Sequence, residues 1–175
     1  MSTMTTIKVT GLRELERKLG PQLIAQPMRN FWSRSTGAIV ENAKPLAPFD
    51  RGELRNTITD DMDTAYLPRW ARAGIIGGSG ALKTYAAAQE FGTRPFWPPE
   101  APIAAWVQRK RISMVDKKTG KELSLKAKTF LIRRAISKKG IEKKEYLDRG
   151  TKAALPAIRG YVSVLAAEIE AQAGK

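Results

Sequence analysis

The sequence predicts an α+β fold: a small antiparallel sheet packed against N-terminal and C-terminal helices, with a protruding basic hairpin and helical excursion. Three observations predict it. Short runs suited to strands occur at Thr5–Thr10, around Leu54–Thr59 and from Trp70 to Gly77. Two long stretches, about 28–44 and 147–169, carry apolar residues at helical spacing. Between Arg109 and Arg159 there are 17 Lys and Arg against 5 Asp and Glu, most of the chain's net +14. Residues 1–175 are read as a single domain. Within it, 5–100 form the core sheet and long helix, 101–140 the basic excursion and 141–175 the closing helix.

Thr5-Thr-Ile-Lys-Val-Thr10 alternates and ends at Gly11, which makes a first strand. Leu12, Leu15 and Leu19 then fall at helical spacing, with Pro21 and Pro27 punctuating the helix. A longer helix is expected from about Met28 to Lys44, burying Met28, Phe31 or Trp32, Ser35, Ile39, Ala43 and Leu46, with Pro45 and Pro48 stopping it. Pro48 and Gly52 make a turn that runs into a strand around Leu54–Thr59, and Asp60, Asp61 and Asp63 an acidic tip. A second strand, Trp70–Gly77, ends in Gly77-Gly-Ser-Gly80.

Thr84–Pro99 is a rigid corner. Thr84 is placed as an N-cap, Tyr85–Phe91 as two helical turns, and Gly92 as the left-handed residue that ends them. Proline at 95, 98 and 99 then forbids further helix, while Phe96 and Trp97 add apolar surface. Clustered aromatics beside prolines are more often core or interface anchors than base-stacking platforms. Ile103–Arg109 is a short helix bearing Trp106 and Val107, and Ile112–Lys121 a protruding loop or hairpin. A helix from about Ser124 to Lys138 buries Ala127, Phe130, Leu131 and Ala135, with Gly140 as its cap. The last helix holds Leu147, Thr151, Ala154, Leu155, Ile158, Tyr161, Val162, Leu165 and Ile169 in one stripe, and Pro156 predicts a kink or a later start.

Composition removes most catalytic chemistry. With no cysteine and no histidine, the chain has no thiolate or imidazole zinc site and no Ser-His or Cys-His pair. Gly77-Gly-Ser-Gly-Ala-Leu-Lys-Thr84 approaches a phosphate loop, but Leu82 stands where the second glycine must let backbone approach phosphate. Ser79 grazes a nucleophile elbow that lacks its last glycine and any histidine base. The three aspartates lack a further ligand placed by spacing, so an acidic turn is the better reading. No cofactor is expected. No apolar run reaches the ~20 residues that span a bilayer, and the N-terminus has no secretory pattern, so neither membrane nor export is expected. The basic block, with Arg109, Lys110, Arg111, Lys117, Lys118 and Lys121 as candidate contacts, fits a polyanion, an acidic protein surface or a solvated face.

Three separated pieces together resemble the bacteriophage tail-completion, or head–tail joining, family of neck proteins. They are Val9-Thr-Gly-Leu-Arg-Glu-Leu15; Ala43-Lys-Pro-Leu-Ala-Pro-Phe-Asp-Arg-Gly-Glu-Leu-Arg-Asn-Thr-Ile58; and Tyr85-Ala-Ala-Ala-Gln-Glu-Phe-Gly-Thr93. The second is similar to the family's Pro-x-x-x-Gly-x-Leu-Arg pattern through Pro48, Gly52, Leu54 and Arg55. The third is similar to its Tyr-Ala and Glu-Phe-Gly-Thr signature through Tyr85, Glu90, Phe91, Gly92 and Thr93. The resemblance implies a non-enzymatic virion protein, made in the host bacterial cytoplasm. It would form a homo-oligomeric ring, commonly hexameric, between a portal, adaptor or head-completion ring and the tail tube, where the basic residues from Arg109 to Arg159 would meet acidic neighbouring rings or passing DNA. Tail terminator or minor tail protein is the alternative role, and a basic nucleic-acid-binding protein a further one. The chain departs from compact family members at Pro95-Phe-Trp-Pro-Pro99 and Trp106, which lead into the excursion. A closed ring needs two separated surfaces per subunit, for which the corner and the Lys-rich excursion are the candidates.

Overall fold

The computed structural model describes residues 20–63, 72–76 and 82–173, and side chains from residue 23 except those of 62–83. The first expected strand, the helix around Leu12–Leu19 and the segment Gly77–Gly80 lie outside the described residues. The elements are α1 (Pro21–Leu46), α2 (Glu53–Thr57), β1 (Thr59–Asp63), β2 (Arg72–Ile76), α3 (Leu82–Phe91), α4 (Glu100–Arg109), α5 (Leu125–Lys139) and α6 (Tyr146–Ala173). The expected α+β architecture does not form. The described chain is mostly helical, and its strands make a single antiparallel pair from Thr59↔Ile76 to Asp63↔Arg72 rather than a sheet that carries helices.

Two local causes account for the difference. Leu54–Thr57 is helix, because Gly52 takes φ 84°, Asn56 N–H donates to the Gly52 carbonyl at 2.9 Å, and Glu53 supplies negative charge in the first turn. The β-branched Thr57 and Ile58 that made this look like a strand mark only its exit. Asp60, Asp61 and Asp63 consequently belong to β1 itself and form no tip. The second cause is that α1 runs through Pro27 and Pro45. Pro27 is fully buried beside Ile24, Met28 and Phe31, so packing outweighs the ladder hydrogen bond that proline removes. Likewise α6 starts at Tyr146 and continues through Pro156.

The chain divides into two compact units: one comprises the residues up to Glu90 and from Lys144 on, the other Phe91–Lys143. In the first unit α1 and α6 pack antiparallel, as Asn30 and Arg34 near one end of α1 bond Glu168 near the end of α6 at 2.9 and 2.7 Å. Ile24, Met28, Phe31, Ala38 and Ile39 meet Ala154, Ile158, Leu165 and Ile169 in the larger core. Each fully buried large side chain there contributes roughly 1.5–3 kcal/mol. At the other end Gly150 lets the helices touch, since a Cβ on it would stand 2.6 Å from Ala43 Cα. The second core joins Ala43, Ala47, Leu54, Ile58, Ala86 and Tyr146. Thr36 Oγ1 donates to Asp60 at 2.9 Å and ties the strand pair to α1.

In the second unit α4 begins at Glu100, earlier than expected, with Pro99 before it. Asp116–Lys121 is the tip of a hairpin: Asp116 N–H donates to Lys121 O, and the Asp116 carboxylate accepts from Lys118 and Thr119 N–H. Helix α5 is capped by the Ser124 hydroxyl at its start and by Gly140, φ 75°, at its end. Its buried face is not the expected one. Lys128 and Thr129 are buried, whereas Phe130, Leu131 and Ala135 are exposed. Lys128 can occupy that face because its ammonium bonds the Glu122 carboxylate of the hairpin, a partner that sequence spacing does not reveal.

Candidate functional site

The family-like residues sit at chain junctions, and the junctions explain them. Glu90 lies one helical turn after Ala86 on the buried face of α3. A carboxylate there needs donors, and it has them: its two oxygens accept from the backbone N–H groups of Leu147 at 2.8 Å and Asp148 at 3.1 Å. Those amides belong to the first turn of α6, which has no intrahelical partner for them and carries the positive end of the helix dipole. Glu90 is therefore the N-terminal cap of a 28-residue helix, supplied from 57 residues away. The backbone joins in: Lys144 N–H donates to Gln89 O at 2.7 Å and Glu145 N–H to Glu90 O at 3.3 Å. Glu145 takes φ 51°, the left-handed region, to make the turn into α6. Tyr146 is completely buried next to this carboxylate; burial, then the charge of Glu90, then Tyr85 push its phenol up to about 12. The Tyr85 phenol is raised by burial and by Asp50.

The second piece closes the other end of the same core. Leu54 is buried, and Arg55 reaches back to donate to the carbonyls of Ala47 at 2.9 Å and Pro45 at 3.0 Å. These are orphan acceptors around the C-terminus of α1, where a cation is also favoured by the dipole. The guanidinium carbon lies 5.1 Å from the centre of the exposed Phe49 ring. Pro48 is partly buried in the turn between them.

In the second unit Gly92 takes φ 74°, and a Cβ on it would meet Ile141 O at 2.8 Å. Thr93 pairs with Ile141 twice, its N–H donating to Ile141 O at 3.0 Å and its hydroxyl accepting from Ile141 N–H at 2.9 Å. Gly140 faces Thr93 so closely that any side chain would collide with the Thr93 carbonyl. Gly92, Thr93 and Gly140 are thus demanded by close backbone approach.

Phe91 is 60% exposed. Phe96, Trp97 and Trp106 are exposed too, so the aromatic payload of the corner is surface rather than core. Trp97 stands edge-to-face with Phe130 at 6.1 Å, and Arg133 lies over the indole at 4.9 Å. Arg133 also donates to Pro98 O and to Glu100, both at 2.9 Å, which fixes it over the ring. Neither Arg133 nor Phe130 stood out in the sequence as part of this cluster. Their three-residue spacing on one helix was the available signal. Tyr146 was also missed, because its role depends on Glu90.

The basic candidates Arg109, Lys110, Arg111, Lys117, Lys118 and Lys121 are all exposed, at the end of α4 and on the hairpin. Among the described residues no group of His, Cys, Asp or Glu is placed to hold a metal ion, and no helix is long and apolar enough to cross a membrane. No protein-family model, curated protein or solved structure matches the chain.

Proposed function

We propose that the chain is a structural virion protein of a tailed bacteriophage, a ring subunit of the neck that completes the tail and joins it to the head. The observation that carries this reading is what the two family-like pieces within the described residues do. Arg55 closes the C-terminal end of α1, Glu90 caps the start of α6, and Gly92 and Thr93 clamp Ile141. Contacts of this kind hold each unit rigid. Rigidity is what a ring under mechanical load requires, and each unit adds exposed aromatics suited to anchoring a neighbour: Phe49 on one, and Phe96 and Trp97 on the other. A ring built head to tail uses two different patches per copy.

Particles assembled without the protein test this in one image series. Full-length tails lying apart from filled heads are the expected result. Tails of uncontrolled length would instead assign the terminator role, and normally joined particles would remove the protein from the neck.

A further inference from the structure

We propose that the Phe91–Lys143 unit binds the phosphate backbone of double-stranded DNA, without sequence preference, through the cations of its hairpin tip and of the outer face of α5. The proposal deepens the DNA contact in the neck reading and rests on that reading only for why DNA is at hand. The unit holds 14 Lys and Arg against 4 Asp and Glu. What matters is how the acids are spent. Glu122 is bound to the buried Lys128, Glu100 to the half-buried Arg133, and Asp116 to the backbone of its own turn. Three of the four acids thus serve interior cations and the backbone. Arg111, Lys117, Lys118, Lys121, Lys126, Arg134, Lys138 and Lys139 are exposed and have no carboxylate partner among the described residues.

Their placement suits a duplex. Lys126, Phe130, Arg134 and Lys138 recur every four residues on the solvent face of α5, a row about 18 Å long at ~1.5 Å per residue. The Lys117–Lys121 tip is held against this helix by the Glu122–Lys128 pair, so the two groups of cations keep a fixed spacing. A duplex offers one negative charge per ~1.7 Å of axis and rewards such an array by releasing counterions. Single-stranded nucleic acid fits less well, since it needs open aromatic faces for its bases. Here Arg133 covers one face of Trp97 and Phe130 packs against the same ring, while the exposed Phe91, Phe96 and Trp106 belong neither to α5 nor to the hairpin. An acidic protein surface fits less well too, as the unpaired cations extend well beyond the aromatic cluster that would anchor it.

The test measures binding of the full chain to a fluorescent duplex of mixed sequence across a salt series. One variant carries Lys126→Gln, Arg134→Gln, Lys138→Gln and Lys139→Gln, and a second Lys117→Gln, Lys118→Gln and Lys121→Gln. A charge-matched control carries Arg29→Gln, Arg51→Gln, Arg149→Gln and Arg159→Gln on the other unit. Retained far-UV circular dichroism shows that each variant folds. The wild type should bind with a steep salt slope, and the four-site α5 variant should lower that slope by roughly 3–4, at ~0.9 per lost phosphate contact. The hairpin variant should lower it by roughly 2–3 and the control leave it unchanged. No binding at ~50 mM salt overturns the proposal, as do equal losses in the control, tighter binding to polyglutamate than to duplex, or single-strand binding abolished by Trp97→Ala. A chain that fails here yet is needed for head–tail joining leaves the neck reading intact. A chain that binds duplex as described but leaves joined particles in its absence removes only the neck reading.

Discussion

Replacing Glu90 tests the account of the junction most directly. The carboxylate satisfies two partly buried amides at 2.8 and 3.1 Å, and Glu90 itself is only 4% exposed. Alanine would leave both donors without their carboxylate acceptor, at roughly 1–3 kcal/mol each, and would remove the favourable charge at the helix terminus. The total is about 4 kcal/mol. For a chain of this size that lowers the melting temperature by about 8–16 °C. Glutamine keeps one acceptor but turns an NH₂ group towards the other amide, so its cost should be about half. Thermal unfolding followed by far-UV circular dichroism gives the ranking wild type, Glu90→Gln, Glu90→Ala. Native-state hydrogen exchange should show the amides of Leu147 and Asp148 losing protection first. The reasoning fails if Glu90→Ala melts within ~2 °C of wild type, or if those two amides keep their protection.

Two further predictions concern the first unit. Gly150→Ala places a methyl 2.6 Å from Ala43 Cα and should cost about 2 kcal/mol or more, whereas Gly160→Ala, with nothing within 4 Å, should stabilise by ~0.5–1 kcal/mol; urea denaturation of the pair separates helix propensity from helix contact. Tyr146 gives a pH dependence. Its phenol is raised to about 12 in the folded chain against ~10 in the unfolded one, so the folded state keeps the proton longer. The stabilisation is complete below pH ~10 and is lost as pH rises towards ~12, by up to ~1.4 kcal/mol per unit. Wild type should therefore lose stability more steeply than Tyr146→Phe in that window, measured by urea denaturation at several pH values. Parallel curves would contradict the raised phenol.

Features written in local chemistry were legible in the sequence. Ser124 and Gly140 bound α5 as expected, Gly92 ends α3 with positive φ, and of the expected stripe of α6 Ala154, Ile158, Leu165 and Ile169 are buried, although Val162 is exposed. Features decided by distant partners were not. Pro27 reads as a break until the core around Phe31 holds it in the helix. Lys128 reads as surface until Glu122 neutralises it, and on the same helix Phe130 is exposed. Leu54–Thr57 reads as the start of a strand until the left-handed Gly52 is seen to start a helix there. Of the candidate residues, Glu90, Arg55 and Gly92 were recognisable by pattern, but their capping and clamping roles required the contacts themselves.

The bonds from Lys144 to Gln89 and from Glu145 to Glu90 have one more consequence. The 53 residues between Glu90 and Lys144 leave and re-enter the first unit at points already within hydrogen-bonding distance. To that unit, everything between is an insertion with a closed mouth. Lengthening such a loop adds only logarithmically to its closure entropy, about 0.6 kcal/mol per doubling. Length and charge there can be altered while the framework that Glu90 fastens keeps its ends in place.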